Sequence, residues 1–321
     1  MSEFAVQVVR LGSSMPHSNA DTLSITLVHG GYPCIIRTGE FNEGDLAVYL
    51  PVDAVLPDVE RWGWLKGHLR IRAKRLRGVF SMGLLVAADP LWVEGQDVRE
   101  ELGVTKWEPR LDLLMQTESE HAPGLGDTTY TDIEGLRRWG DVLSEGEAVS
   151  VTEKIHGANG RFCWHDGRLW VGSHRHWKLR NERNLWWRAA FQADLERRLS
   201  LMPDVVFYGE VFGQVQDLKY DRDLDLAFFD SMLLPTRRYD DVDVFMLRCS
   251  KIRLTHVPIL YQGAWDKQLV ISLAEDMSSL ASHVREGVVV RPMRERFDER
   301  VGRVILKYVG EGYLTRKSSK Q

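Results

Sequence analysis

The chain has 321 residues, with 42 Lys and Arg against 46 Asp and Glu, a formal charge of −4 and 44% hydrophobic residues. That apolar content supplies one or two buried cores and excludes a disordered chain, and no apolar run approaches the roughly 20 residues of a bilayer-spanning helix. The N-terminal MSEFAVQVVRLG lacks the pattern of a secretion signal, and Cys34, Cys163 and Cys249 are odd in number without CxxC spacing, so a reducing, cytoplasmic setting is expected.

The first hundred residues read as short β-runs broken by turn residues: Phe4 to Leu11, Thr22 to Val28, Pro33 to Arg37, Leu46 to Pro51, His68 to Leu76 and Met82 to Val86. Such a series predicts a small closed barrel of the OB-fold kind. Between Arg61 and Gly78 stand seven Lys and Arg and no acid. Strand alternation there puts Leu69, Ile71 and Ala73 on one face and Arg70, Arg72 and Lys74 on the other. A positive face beside Trp62 and Trp64 predicts a groove that tracks phosphates, with the tryptophans as stacking platforms; a solvated strand with two core tryptophans is the alternative.

From Glu108 to Ala148 ten acids face three arginines, and TESEHAPGLGDTTYTD lacks apolar periodicity. The predicted organisation is a nucleic-acid-binding domain over residues 1–105, an acidic linker over 106–128 and a second domain over 129–321. In the second domain, LWWRAAFQADLERRLSL predicts an amphipathic helix over 184–201. Strands are expected at 148–153, 161–164, 169–172, 205–208, 226–230, 287–291 and 304–308. Charged residues inside the last three apolar runs mark where chemistry is expected, because a charge beside a buried strand costs solvation unless it is paired or used.

One segment concentrates polar groups around a lysine: Val151-Thr152-Glu153-Lys154-Ile155-His156-Gly157-Ala158-Asn159-Gly160. It resembles motif I of the covalent-lysine nucleotidyltransferases, the superfamily of DNA ligases, RNA ligases and mRNA capping enzymes, and EKIHGAN resembles the nick-sealing RNA ligase branch. Further matches follow in the family's order. Ser173 and Arg175 resemble motif Ia, Asn184 to Trp187 the Asn-x-x-Trp that follows it, Gly209-Glu210 motif III, Phe229-Asp230 motif IIIa, Glu286 to Arg291 motif IV, and Lys307 motif V. HSNADTLSI, GEFNEGDLAVYLPVDAVLP and RGVFSMGLLV resemble the OB domain that precedes the transferase domain in one branch of template-dependent RNA ligases.

The resemblance implies an α+β protein: an N-terminal β-barrel of OB fold, then an ATP-grasp-like adenylyltransferase domain of antiparallel sheets and flanking helices. It implies an ATP-dependent RNA ligase that joins 5′-phosphate and 3′-hydroxyl ends at nicks in a duplex, with RNA as partner, a DNA strand in the duplex as an option, and no membrane. Lys154 would attack the α-phosphorus of ATP to form lysyl-AMP, with Mg²⁺ or Mn²⁺ as metal. A lysine with its ordinary pKa of about 10.4 is protonated at neutral pH, so burial, the metal and Lys307 are expected to depress it. Lys307 would also neutralise phosphate charge. Glu153, Asn159, Arg175, Glu210, Phe229 and Glu286 would hold the nucleotide, Glu210 and Glu286 also the metal, and Lys178 and Arg180 would join Arg70, Arg72 and Lys74 on nucleic acid. Plain core packing stays open for Phe229, since Phe228 beside it is equally apolar, and a turn role stays open for His156.

Motif V is usually Lys-x-Lys, whereas this chain has Lys307 alone, with Arg303 as one candidate replacement. Fourteen residues follow Lys307, too few for the C-terminal OB domain of DNA ligases and capping enzymes. Those two activities, and an RNA or tRNA clamp that keeps the fold without catalysis, stand as alternatives.

Overall fold

The computed structural model describes residues 4–108 and 118–316. They form two compact units: residues 4–108 with Gly135–Arg138 and residues 314–316, and residues 118–134 with Trp139–Tyr313. Part of the expected acidic linker, residues 109–117, lies outside the described residues.

The first unit is built from β1 (Gln7–Arg10), β2 (Met15–His17), β3 (Ala20–Val28), β4 (Tyr32–Arg37), β5 (Leu46–Leu50), β6 (Lys74–Leu76), β7 (Val79–Ser81) and β8 (Leu84–Ala87). Two three-stranded antiparallel sheets, β1-β5-β8 and β2-β3-β4, are accompanied by the separate β6-β7 hairpin. Among the described residues the hydrogen-bond ladder does not close into one continuous barrel. Val8, Val48, Leu50, Leu56 and Ile71 pack into the core of this unit. The expected strand over 68–76 is regular only at Lys74–Leu76, but its alternation survives in burial, with Ile71 and Ala73 inside and Arg72 and Lys74 outside.

The second unit stacks two antiparallel sheets. One runs in the order β16 (Leu306–Val309), β15 (Gly287–Pro292), β9 (Ala148–Lys154), β14 (Ile259–Ala264). The other runs β11 (Arg168–Ser173), β10 (Ala158–His165), β12 (Val205–Gly213), β13 (Leu224–Leu233), then the short strand Arg238–Tyr239. Cys163, Val206 and Tyr208 of the second sheet meet Val289 and the adjoining Ile305 of the first. On the opposite face of the second sheet, Phe162, Phe207 and Phe228 pack under α1 (Leu185–Gln192) and α2 (Leu195–Leu199). A single helix was expected there. Asp194 takes the left-handed conformation (φ 52°) and divides it in two, while the Asn184 side chain caps α1 by accepting from the Trp187 N–H at 3.0 Å. The helices α3 (Val242–Lys251) and α4 (Lys267–Ala274) complete the unit.

Between the two sheets lies a buried charge network. Asp230, fully buried, accepts from Arg291 at 2.9 Å, from Arg303 at 2.7 Å and from the Tyr130 hydroxyl at 2.7 Å, and Glu295 binds both arginines. Burial alone would raise the Asp230 pKa, but the two arginines hold it below the ordinary carboxylate range.

Candidate active site

Alternation along β9 sends Lys154 and Glu153 to opposite faces. In register, Thr152 pairs with Val289 and Val289 with Lys307, while Lys154 pairs with Gly287. Lys154 and Lys307 therefore share the face turned toward the second sheet. Where β9 ends, the chain turns through Gly157, and a Cβ there would lie 2.3 Å from the Val211 carbonyl oxygen and 3.0 Å from Glu210 Cγ. That close approach explains the glycine of Lys-x-x-Gly: it seats the lysine turn against the strand that carries Glu210. Gly287 does the same across the sheet, because a Cβ there would stand 2.0 Å from the Tyr308 carbonyl oxygen.

Lys154 Nζ donates to Glu286 Oε1 at 2.7 Å, and 28% of the lysine side chain stays accessible, leaving a route to its amine. Glu286 Oε2 lies 3.3 Å from His156 Nδ1, the Tyr313 hydroxyl lies 3.1 Å from the same nitrogen, and His156 Nε2 meets Asp217 Oδ1 at 2.8 Å. The His156 backbone N–H donates to the Tyr220 hydroxyl at 2.9 Å.

Burial is the largest influence on all four central groups. For Lys154 burial favours the neutral amine, but Glu286 and Glu210 together outweigh it, and the pKa lies above that of ordinary lysine. The expected depression is thus not present in the ligand-free protein; two carboxylates supply the reason. Burial holds Glu210 up at about 7 against the pull of Lys154, whereas Lys154 and His156 overcome burial at Glu286 and bring it down to about 2. Asp217 and Glu286 likewise overcome burial at His156 and raise it to about 8. A histidine whose folded pKa is raised stabilises the fold fully below its unfolded pKa and loses that contribution as pH rises through the folded value. Between pH 6.5 and 9, wild type is therefore expected to lose about 1–2 kcal/mol relative to His156→Gln, read as the difference between urea-unfolding free energies. Parallel pH profiles would contradict the arrangement.

A family model described as RNA ligase matches residues 147–309, just over half the chain. The chain belongs to the RNA ligase family. An OB-fold domain model matches residues 5–88 of the ligase. No curated protein matches it. Among solved structures, a mutant of Naegleria gruberi RNA ligase with ATP and Mn is similar at 23% identity and a TM-score of 0.84, over 97% of this chain and 98% of that chain. The same enzyme with PPi is similar at 23% identity and a TM-score of 0.82, over 97% and 98%, and a mutant with AMP and Mn at 23% and 0.84, over 97% and 98%. At that identity the likeness carries the fold: α+β, with an OB-fold domain preceding antiparallel sheets and flanking helices.

Within the ligase, Asn159 stands opposite Glu210 in register, and its carboxamide oxygen is buried without a hydrogen-bond partner among the described residues. Phe228 is buried in the helix-side core, whereas Phe229 is half-buried on the other face, its ring 5.1 Å from Tyr130. The Glu153 carboxylate is buried and bound to Ser278 and Ser279. Arg303, the candidate second motif V cation, is held by Asp230 and Glu295. Arg175 is exposed; Arg180 pairs with Glu196 at 3.0 Å and lies over Phe191 on the helix side of the second sheet. A cleft of about 700 Å³ opens there, lined by Arg180, Arg188, Phe191 and Gln192, apart from the lysine. Lys178 is buried, with Nζ 5.8 Å from the Trp186 ring, and burial lowers its pKa.

In the OB unit Arg70 is bound to Asp53 at 2.7 Å and stacks 3.3 Å over Trp107, so the cationic run does have a counter-acid, from outside its own segment. Arg72 and Lys74 remain exposed. Trp62 is buried at 2% and Trp64 exposed at 57%, so the two tryptophans divide between core and surface. Asp217, Tyr220 and Tyr313 complete the lysine site and were not singled out in the sequence, since the first two lie in loops with no local pattern and Tyr313 in a helix of four residues, Glu311–Leu314, too short to show a period.

Among the described residues no group of three or more His, Cys, Asp and Glu is placed to hold a metal. Glu210 and Glu286 do offer hard carboxylate oxygens beside the lysine. Mg²⁺ commonly keeps several waters and binds one or two carboxylates plus substrate phosphates, a donor set that fits this pair.

Proposed function

We propose that the chain is an ATP-dependent RNA ligase that joins 5′-phosphate and 3′-hydroxyl ends at nicks in a duplex through a lysyl-AMP intermediate. The observation that carries this reading is the Lys154 amine held 2.7 Å from Glu286, with Glu210 close enough to raise its pKa. The nucleotides, metal and pyrophosphate in the Naegleria gruberi structures support it.

The Nζ lone pair attacks the α-phosphorus of ATP, a P–N bond forms, and the bond to the pyrophosphate oxygen breaks. The attack requires the lysine to release to solvent, which reaches its 28% accessible side chain, the proton that it directs at Glu286 Oε1. Glu286 is a weak base while it faces two cations, so the charged lysine is a resting state that protects the nucleophile until substrate arrives. A Mg²⁺ or Mn²⁺ ion held by Glu210 and Glu286 would withdraw those carboxylates' support for the ammonium and offset phosphate charge. Lys307, on the same sheet face, adds a fixed positive charge near the phosphates. A 5′-phosphate oxygen then takes the AMP from Lys154, and a 3′-hydroxyl attacks that activated end and expels AMP.

Sealing of a nicked RNA duplex bearing a 5′-phosphate, in the presence of ATP and Mg²⁺, tests the reading. Arg72→Glu with Lys74→Glu is expected to weaken duplex binding by about tenfold to a hundredfold, most steeply at low salt, while AMP labelling of the protein is unchanged. Loss of both in parallel would contradict a division of labour between the OB face and the lysine site.

A further inference from the structure

After β16 the chain turns back across the lysine site. The Gly310 N–H donates to the Glu286 carbonyl at 3.0 Å, and the short helix Glu311–Leu314 follows. The first N–H groups of a helix have no partner within it and must find one elsewhere. Here Glu275, at the end of α4, serves the first two: its Oε1 accepts from the Glu311 N–H at 2.7 Å and its Oε2 from the Gly312 N–H at 3.1 Å. One carboxylate from an earlier helix thus latches the turn that carries Tyr313. The Tyr313 hydroxyl lies 3.1 Å from His156 Nδ1, with the two rings 5.7 Å apart, and Asp217 holds the opposite nitrogen, Nε2, at 2.8 Å. Nδ1 also faces Glu286 Oε2, at the longer distance of 3.3 Å. An ionised carboxylate only accepts, whereas a hydroxyl can donate or accept. Tyr313 can therefore keep its hydrogen bond to Nδ1 whichever ring nitrogen carries the proton, and also while Glu286 turns to a substrate.

We propose that Tyr313 is a positioning residue for AMP transfer: latched by Glu275, its hydroxyl fixes the His156 ring, and with it the Glu286 carboxylate that aims Lys154. The inference rests on the nucleotide-transfer reading above and adds the segment after Lys307 to the machinery. Without the hydroxyl, the ring would pivot on its Asp217 contact and Glu286 would lose a fixed neighbour. The lysine amine would then meet the α-phosphorus over a broader range of positions, and rates fall steeply with such misplacement. The support is felt at the nucleophile, so the cost falls on the maximal rate more than on the half-saturating ATP concentration.

The test follows covalent AMP labelling against ATP concentration for the full chain and for Tyr313→Phe, Glu275→Ala and their double variant. On the same proteins without nucleotide, nitrogen NMR follows the His156 ring, its signals assigned by their loss in His156→Gln, and amide hydrogen exchange is measured at Glu311 and Gly312. Tyr313→Phe keeps the ring and removes one oxygen, so it reports on the contact in a folded protein. It is expected to lower the maximal rate by about tenfold, to leave the half-saturating ATP concentration within about threefold, and to shift Nδ1 more than Nε2. Glu275→Ala is expected to lower the rate by about threefold to tenfold and to quicken exchange at both amides. The double variant should be no slower than Tyr313→Phe, because both changes act on one contact. A wild-type rate or an unmoved Nδ1 signal in Tyr313→Phe, a loss confined to ATP affinity, or multiplied losses in the double variant would overturn the proposal. Wild-type protein that takes up no AMP, with the Nδ1 signal still displaced in Tyr313→Phe, would overturn the nucleotide-transfer reading and leave the latch in place.

Discussion

Lys154→Ala is expected to lose covalent AMP labelling by at least about 10⁴-fold, because the covalent step loses the amine that Glu286 and Glu210 hold in place as nucleophile. Alanine also removes the cation that keeps Glu286 ionised at about 2 and opposes the rise of Glu210, so part of any effect would be electrostatic. Lys154→Arg separates the two. The guanidinium keeps the positive charge and a donor for Glu286 but stays protonated. It should preserve the fold and show the same loss of labelling. Labelled Lys154→Arg protein would move the nucleophile elsewhere.

Asp230→Ala should be the most damaging change for stability. The carboxylate is fully buried and is shared by Arg291, Arg303 and Tyr130. Removing one partner of a buried ion network leaves the others without compensation, at a cost of about 3–5 kcal/mol. Glu295 stays bound to both arginines and should keep the loss at the lower end of that range. Urea unfolding checks it, and a loss under about 1 kcal/mol would show that Glu295 alone satisfies both guanidinium groups.

Local pattern made the strands and the lysine site legible to different depths. Lys154, Glu210 and Glu286 could be singled out through the ordered motifs that resemble those of the RNA ligases, with local charge in an apolar run only a secondary signal, and the fold brings all three together. Their electrostatic balance could not be read the same way. The lysine's charge state depends on which carboxylates reach Nζ, a matter of the close approaches at Gly157 and Gly287. Asp217 and Tyr220 belong to loops and Tyr313 to a four-residue helix, Glu311–Leu314, where no periodicity signals a destination.

The positive run in the OB unit shows the complementary limit. Alternation correctly separated Ile71 and Ala73 from Arg72 and Lys74, yet charge counting over a window missed Asp53, which lies outside that window and binds Arg70. Lys178, expected on nucleic acid, has a buried side chain whose Nζ lies 5.8 Å from the Trp186 ring, a packing partner that local charge does not reveal. The divided helix at Asp194 escaped a periodicity argument because both halves keep the same apolar stripe, Leu185 and Ala189 before the break and Leu195 and Leu199 after it.

The most direct test of the account is peptide mapping by mass spectrometry of wild-type protein, freed of bound nucleotide and incubated with ATP and Mg²⁺. The account predicts one AMP on the peptide that contains Lys154, attached through a phosphoramidate that acid cleaves and alkali spares. An adenylylated protein whose AMP maps to any other residue, or a protein that takes up no AMP while remaining folded, would contradict it.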